Sequence, residues 1–289
     1  MQMTMYLNGR FVPQDEGLRE MQQMGQSIGG YYDTERTFGG EPFRLRLHLE
    51  RLYNGINYSD IDVGVTIDEM ESLTLRVLES NRPLPAGSEL TITQLVALTE
   101  PNQPDDPPRV TVAIYCQPLD VGAFGSSYIR GVRVATPVTY GAPNAGGSDA
   151  KAGSPRQLLL MTGPNGRITE CQGANFMFVR DGRVKLPNRR NVLPGVSMRT
   201  ALDLCESLGI EVDEAEYSIG DVYEASEAFV SSTRFCLLPV ATINGYRLGN
   251  ETPGPVTIRL LAAWRNLVGI NFIRQAIEQM PRDAGPDGV

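Results

Sequence analysis

The side chains able to do chemistry in this sequence are few, and lysine is the scarcest of them. Lys151 and Lys185 are the only lysines among the 289 residues, so a reaction that needs a side-chain amine has two candidates. The single histidine, His48, leaves a Ser-His-Asp triad or a polyhistidine metal site almost without material. We therefore predict no metal centre.

Three separated stretches carry groups suited to an ionic ligand. HLERL at 48–52 contains Arg51, whose guanidinium fork can hold a phosphate through paired, charge-assisted hydrogen bonds. LPGVSMR at 193–199 opens a helix near Ser197, and helix N-termini bind anions through unpaired N–H groups. GRITECQGANF at 166–176 contains Glu170. Taken singly, these residues have ordinary explanations as a solvated arginine, a helix cap and a polar residue beside a strand.

Together, the three stretches resemble, in order and spacing, the fold-type IV pyridoxal 5′-phosphate (PLP) enzymes, the class of branched-chain and D-amino-acid aminotransferases. HLERL resembles the HLxRL helix of that family, GRITECQGANF its GxxTEGxxxNxF signature, and LPGVSMR its LPGxTR turn. Ser231-Ser232-Thr233 resembles a further phosphate-binding turn. The resemblance covers nearly the whole chain, and the cofactor-binding residues that it implies are Arg51, Glu170, Gly173, Asn175, Val196, Ser197, Ser232 and Thr233.

Glu170 has the clearest chemical reason to be in this set. The resemblance places its carboxylate at the pyridine nitrogen of PLP, where a negative charge keeps that nitrogen protonated. A protonated ring withdraws the electrons left on the substrate Cα when its proton is removed. The cofactor implied is therefore PLP.

Lys151 is the lysine that the resemblance implies as the catalytic one, because DAKAG at 149–153 is similar to the AKxG context of the branched-chain enzymes. It would hold the cofactor as a Schiff base and then move the proton at the substrate Cα. The chain departs from the family pattern here, since the helix expected between this lysine and the next strand is absent from the sequence. Cys171 also stands where glycine is usual.

Substrate selectivity is expected from side chains outside these signatures. The strand around Tyr31 and Arg36 is altered relative to the family pattern, and Arg234 follows Thr233 where a small residue is usual. We predict that Tyr31, Arg36 and Arg234 contact the substrate. The resemblance implies transfer of an amino group between an amino acid and a 2-oxo acid, by a homodimer.

The sequence leaves two alternatives open. Aminodeoxychorismate lyase shares this fold and several of these motifs, and a PLP-free relative could serve as a scaffold or binding protein. The net charge of −8 disfavours nucleic acid and anionic membrane surfaces as partners. With no sustained apolar stretch, the sequence predicts a soluble, cytoplasmic protein.

The elements that must position these residues indicate an α+β protein of two domains. We predict an N-terminal domain over 1–120, a glycine-rich linker over 121–130, a strand-rich C-terminal domain over 131–280 and a disordered tail over 281–289. Asn8-Gly9 predicts an opening hairpin, helices are predicted at 42–55, 67–81, 197–208 and 254–279, and the four cysteines are expected to be free and buried.

Overall fold

The computed structural model describes residues 2–24, 27–99, 108–137 and 157–281. These residues divide into two compact units, Met1–Asp120 and Val121–Val289, and each unit is described by itself. Lys151 and the predicted tail from 282 onwards lie outside the described residues.

The first unit is an antiparallel sheet with helices on both faces. Its sheet has the strand order β2-β1-β6-β5-β3-β4. In chain order its elements are β1 (Thr4–Leu7), β2 (Arg10–Pro13), α1 (Gln14–Gln23), β3 (Ser27–Phe38), β4 (Glu41–Pro42), α2 (Leu45–Tyr58), α3 (Ile67–Ser80), β5 (Glu89–Thr99) and β6 (Arg109–Leu119).

Local sequence explains how these elements begin. Asn8 and Gly9 both have positive φ, 45° and 90°, which is the backbone of a two-residue turn between antiparallel strands, so the predicted hairpin is confirmed. The Thr66 side chain accepts a hydrogen bond from the Glu69 amide, and the Glu69 carboxylate accepts one from the Thr66 amide. This reciprocal capping box fixes the start of α3. Helix α1 was not predicted, because its sequence is largely polar.

Helices α2 and α3 bury their apolar stripes on one face of the sheet. Leu49, Leu52 and Ile56 of α2 pack in one cluster with Ile92 and Val96 of β5. Helix α1 lies on a separate, smaller cluster that contains Met5 and Leu7. Charged side chains that enter the larger core therefore lose contact with water, and the acidic side chains of β3 are among them.

The second unit is built on a mixed sheet of nine strands in the order β12-β11-β10-β13-β14-β7-β8-β9, with β15 paired to β14. Three pairs are parallel: β11 with β12, β14 with β7, and β7 with β8. In chain order the elements are a 3₁₀ turn (Gly122–Phe124), α4 (Gly125–Arg130), β7 (Val132–Ala135), β8 (Gln157–Thr162), β9 (Ile168–Cys171), β10 (Asn175–Arg180), β11 (Arg183–Pro187), a 3₁₀ turn (Arg189–Asn191), α5 (Val196–Ser207), β12 (Val212–Ala215), α6 (Ile219–Tyr223), β13 (Glu227–Ser232), β14 (Cys236–Ile243), β15 (Tyr246–Arg247), α7 (Pro255–Val268) and α8 (Phe272–Glu278).

The stretch 121–130, predicted as a linker, forms a 3₁₀ turn and α4 inside the second unit. Its glycines mark close packing instead of chain flexibility. A Cβ on Gly122 would lie 2.1 Å from the carbonyl oxygen of Gln279, beside α8. Phe124 and Tyr128 are buried, and the Tyr128 hydroxyl donates to the Phe235 carbonyl at 2.6 Å. The segment is part of a packed helical layer.

The closing helix predicted over 254–279 is two helices. Gly269 takes the left-handed conformation, with φ of 69°, and ends α7. Asn271 then begins α8 by accepting a hydrogen bond from the Arg274 amide. Among the described residues no single helix is long and apolar enough to span a membrane, and only the bent α7–α8 pair meets that test by length and composition.

The four cysteines are free and buried, as predicted. Cys116 lies in the core of the first unit, and Cys171, Cys205 and Cys236 lie in the second. Burial raises the pKa of Cys116 to about 12 and that of Cys205 to about 11. These thiols are packing groups in the folded chain.

Candidate active site

Glu170 and Asn175 face each other across a tight turn of the second unit. Glu170 lies in β9, Asn175 begins β10, and Gly173 supplies the positive φ of 77° that the turn between them requires. The Asn175 Nδ2 donates to Glu170 Oε2 at 3.0 Å and to the Leu193 carbonyl at 2.9 Å. The Leu193 amide also donates to Glu170 Oε2, at 3.0 Å. One carboxylate oxygen is thus held by two donors.

The other oxygen of this carboxylate, Oε1, accepts no hydrogen bond from the residues that the structure describes. Burial raises the pKa of Glu170, and the hydrogen bond from the Leu193 amide partly opposes this. A half-buried carboxylate with a raised pKa is stabilised by a neighbouring cation, so this position suits a positively charged ring nitrogen.

The N-terminus of α5 begins three residues after Leu193, and it is uncapped. Gly195 is the N-cap residue, so no side chain accepts from the first turn. The amides of Val196 and Ser197 lie in the first turn, where the helix itself provides no acceptor, and both residues are buried. Unpaired amides and the helix dipole make this end of α5 an anion site.

The N-terminus of α7, in the same unit, shows the opposite arrangement. The buried Glu227 carboxylate accepts from the Val256 amide at 2.8 Å, the Thr257 amide at 2.9 Å and the Thr257 hydroxyl at 2.8 Å. Gly254 leaves room for it, because a Cβ there would lie 2.3 Å from Glu227 side-chain carbons. The chain fills this helix end with its own anion, whereas the end of α5 has none from the described residues.

Strand β13 packs against α5 and brings three small hydroxyl residues to its end. Ser231 pairs directly with Asn175 of β10, so the two side chains share a face of the sheet. The Ser231 Oγ is fully buried and has no hydrogen-bond partner among the described residues. Ser232 and Thr233 follow at the turn into β14, and both are partly buried.

In the first unit, Arg51 is held by Asp33, a residue that none of the motifs includes. Its Nε donates to Asp33 Oδ2 at 2.7 Å, and its Nη2 donates to Asp33 Oδ1 at 2.7 Å. The His48 Nδ1 lies 2.8 Å from the same Oδ1. Burial alone would raise the pKa of Asp33, but the hydrogen bonds from His48 and Arg51 bring it below its ordinary value. Burial lowers the pKa of His48, which is therefore a neutral donor to Asp33 near pH 7.

The three predicted substrate residues lie in different surroundings. The Tyr31 hydroxyl is 2.5 Å from the Ser59 hydroxyl. Arg36 is 3% exposed, and its guanidinium carbon lies 4.2 Å from the centre of the Phe38 ring. Arg234 is exposed in the second unit. Their contact with a substrate stays a prediction.

Of the predicted cofactor residues, the structure joins Glu170, Asn175, Val196 and Ser197 in one cluster through Leu193. Gly173 forms the turn within it. Arg51 belongs to the other unit, so its approach to this cluster stays a prediction, as does the role of Lys151. Asp33 was missed, and Ser231, although it belongs to the Ser231-Ser232-Thr233 motif, was not assigned to the site.

Comparison with known proteins gives this geometry its context. A profile of the family described as amino-transferase class IV matches residues 30–243. A branched-chain-amino-acid aminotransferase of Escherichia coli K12 is 28% identical over 256 residues, covering 82% of this chain and 81% of the relative. A D-alanine aminotransferase of Listeria monocytogenes is 24% identical over 271 residues, covering 89% and 93%.

Solved structures agree in fold. A branched-chain amino acid aminotransferase from Thermobaculum terrenum, crystallised in its PLP form, superposes with a TM-score of 0.77 at 21% identity, covering 95% of this chain and 96% of its own. The predicted α+β, fold-type IV architecture is confirmed. Because the family profile spans well over half of the sequence, the chain belongs to the class IV aminotransferases.

Proposed function

We propose that this chain moves an amino group between a branched-chain amino acid and a 2-oxo acid, with PLP as its cofactor. The observation that carries the proposal is the pairing, within one unit, of a carboxylate with one open oxygen and an uncapped helix N-terminus. The first suits a protonated ring nitrogen and the second a phosphate. The substrate class rests on the Escherichia coli relative, which is named as a branched-chain-amino-acid aminotransferase.

The residues of the second unit fit this cofactor by the chemistry of their donors and acceptors. Glu170 offers an acceptor, Val196 and Ser197 offer amide donors, and the buried Ser231 hydroxyl is an unsatisfied polar group near them. When bound, PLP supplies the electron sink that lets a substrate lose its Cα proton. The family membership of the chain and the PLP form of its structural neighbour point to the same cofactor.

Each protein group has a distinct task in this proposal. Glu170 keeps the ring nitrogen protonated and is itself stabilised as a carboxylate by that positive charge. The amides of α5, with the hydroxyls of Ser197, Ser232 and Thr233, hold the phosphate. Arg51 is proposed to add a guanidinium to the same phosphate, held in a fixed orientation by Asp33.

Lys151 is proposed to act as the general base that takes the proton from the substrate Cα and as the general acid that gives it back. Lys185 has a different setting. It lies on β11, its side chain is 9% exposed, and it forms an ion pair with Asp213 of β12. A lysine buried in an ion pair between two strands has a structural task, and its replacement by arginine preserves the positive charge.

Two matched substitutions test the assignment. Lys151→Arg removes the amine that the proposal needs, and Lys185→Arg removes the other one. We expect transfer of the amino group from the amino acid to PLP to slow by roughly 1,000-fold or more in Lys151→Arg. The variant lacks both the group that moves the proton and the amine to which PLP would attach. Lys185→Arg should retain the visible absorbance of bound PLP and the wild-type rate. Equal behaviour of the two variants would contradict the role of Lys151.

The substrate class is tested by comparing leucine, isoleucine and valine with D-alanine as amino donors. D-alanine is the second candidate because the Listeria relative is named for it. We propose Tyr31, Arg36 and Arg234 as the residues that decide between them. A higher kcat/KM for D-alanine than for any branched-chain substrate would refute the branched-chain proposal.

The proposal also includes a homodimer in the cytoplasm. The homodimer follows from the family resemblance alone, and sedimentation of the purified chain would test it. The aminotransferase names of the relatives favour transamination over the lyase and over a PLP-free scaffold. Production of pyruvate from aminodeoxychorismate, without transamination of any amino acid, would reverse that preference.

A further inference from the structure

We propose that Asn175 is a positioning residue, which sets the distance between Glu170 and the phosphate-binding end of α5 before any cofactor arrives. This inference rests on the proposed use of PLP. It assigns Asn175 a task other than cofactor contact: its carboxamide holds two parts of the protein that would touch opposite ends of one rigid ligand.

The hydrogen-bond chemistry fixes which way the carboxamide points. Both neighbours at the Asn175 Nδ2, the Glu170 carboxylate and the Leu193 carbonyl, are acceptors at 3.0 and 2.9 Å. Turning the amide over would place its oxygen against two other oxygens, so only the amino group fits there. Asn175 is also 5% exposed, which removes competition from water.

The turn before α5 is tied to the same group on two sides. Leu193 accepts from Asn175 through its carbonyl and donates to Glu170 through its amide. Two residues later, Gly195 lies so close to the carboxamide that a Cβ would be 2.1 Å from the Asn175 Oδ1. Glu170, Asn175 and the start of α5 are therefore interlocked without help from a ligand.

This interlock has a consequence for a rigid ligand such as PLP. The distance from its ring nitrogen to its phosphate varies little, so a protein that already presents both partners at that distance loses less freedom on binding. By occupying Oε2 of Glu170, Asn175 also leaves Oε1 as the oxygen for the ring nitrogen. Asn175 thus acts through Glu170 and through the Leu193–Gly195 turn.

The first test separates donation of hydrogen bonds from space filling. Asn175→Asp keeps the shape but removes both donors and places a second carboxylate against Glu170, whereas Asn175→Ala only removes the group. We expect PLP to bind about tenfold more weakly to Asn175→Ala, and more weakly still to Asn175→Asp. A residue that merely fills space would give the reverse order, and that result would overturn the proposal.

The second test asks whether Asn175 acts through Glu170. In a Glu170→Gln background, adding Asn175→Ala should weaken PLP binding by clearly less than the tenfold expected in the wild-type background, because only its contribution through the Leu193–Gly195 turn remains. The same tenfold loss in both backgrounds would contradict the proposal. Asn271→Ala, which removes an asparagine that caps α8, is the matched control and should bind PLP as the wild type does.

A third measurement needs no cofactor, so it separates this inference from the proposed function. Hydrogen exchange of the apo chain in peptides that cover 190–199 should be at least about tenfold faster in Asn175→Ala than in the wild type, because the Leu193 turn loses its anchor. Unchanged exchange there would overturn the interlock, even in a protein that binds PLP. Failure of the wild type to bind PLP would instead refute the proposed function.

Discussion

The stability of the first unit should depend on pH through the buried side chain of Glu35. Glu35 lies on β3, is 0% exposed, and its Oε1 accepts a hydrogen bond from the Gln94 Nε2 at 2.8 Å. Its Oε2 and the Oε1 of Gln94 are buried, and neither has a hydrogen-bond partner in the part of the chain that the structure describes. Burial, together with the negative charge of Asp33 and against the Gln94 hydrogen bond, raises the pKa of Glu35 well above its ordinary value of 4.5. Glu35 is accordingly a neutral acid in the folded chain over a wide range of pH.

The sign of the pH dependence follows from this raised pKa. In the unfolded chain Glu35 loses its proton near its ordinary pKa, whereas in the folded chain it keeps the proton until the raised pKa is reached. Its stabilising contribution is therefore complete below pH 4.5 and is lost as the pH rises through the folded-state value. Within that window, the wild type should lose about 1.4 kcal/mol of unfolding free energy per pH unit relative to a variant that cannot ionise.

Glu35→Gln is that variant, because its amide has nearly the shape of a neutral carboxylic acid and retains an acceptor for Gln94. Urea unfolding of both proteins at pH 5, 6, 7 and 8 gives the difference directly. We expect Glu35→Gln to be close to the wild type at pH 5 and progressively more stable above it. Glu35→Leu is the control: it should be offset by a constant amount from Glu35→Gln at each pH, since neither side chain titrates. A difference between wild type and Glu35→Gln that does not change with pH would refute the reasoning.

Two further substitutions test the helix ends of the second unit. Glu227→Ala should lower the unfolding free energy by about 3 to 5 kcal/mol, because the amides of Val256 and Thr257 lose a buried carboxylate partner, and thermal unfolding of the apo chain measures this. Loss of less than about 1 kcal/mol would contradict it. Gly195→Ala should weaken PLP binding by about tenfold or more, because the new Cβ would displace Asn175, and fluorescence titration with PLP would check it. Wild-type affinity in that variant would show that the close approach is not needed.

The parts of the fold that were predictable are those encoded by neighbouring residues. Asn8-Gly9 specified a hairpin because few residues tolerate two successive positive φ angles. The stretch 121–130 was misinterpreted because glycine has two uses, flexibility and close packing, and only the position of α8 distinguishes them. Gly269 ended α7 in the middle of a segment predicted as one helix, because the apolar residues continue on both sides of it.

Part of the candidate site was likewise predictable from the sequence, and part was not. The resemblance implied Glu170, Asn175 and Ser197 as cofactor-binding residues from short motifs. The structure brings Glu170 and Asn175 into contact beside the turn that leads into α5, the helix that holds Ser197. It could not reveal the Leu193 backbone as their common partner, because main-chain hydrogen bonds leave no mark on residue type. Asp33 was overlooked for a related reason. Its position in the alternating pattern of β3 suggests an exposed side chain, and only the packing of α2 brings Arg51 and His48 into contact with it and buries it.

The four buried cysteines can report when the folded protein opens. A thiol with a pKa of about 12 or about 11, as for Cys116 and Cys205, is almost entirely protonated near neutral pH and has no access to reagents while the chain is folded. Alkylation therefore records the moments when the surrounding core opens. Because Cys116 lies in one unit and Cys205 in the other, mass spectrometry of the labelled peptides would time the opening of each unit separately, in an unmodified chain.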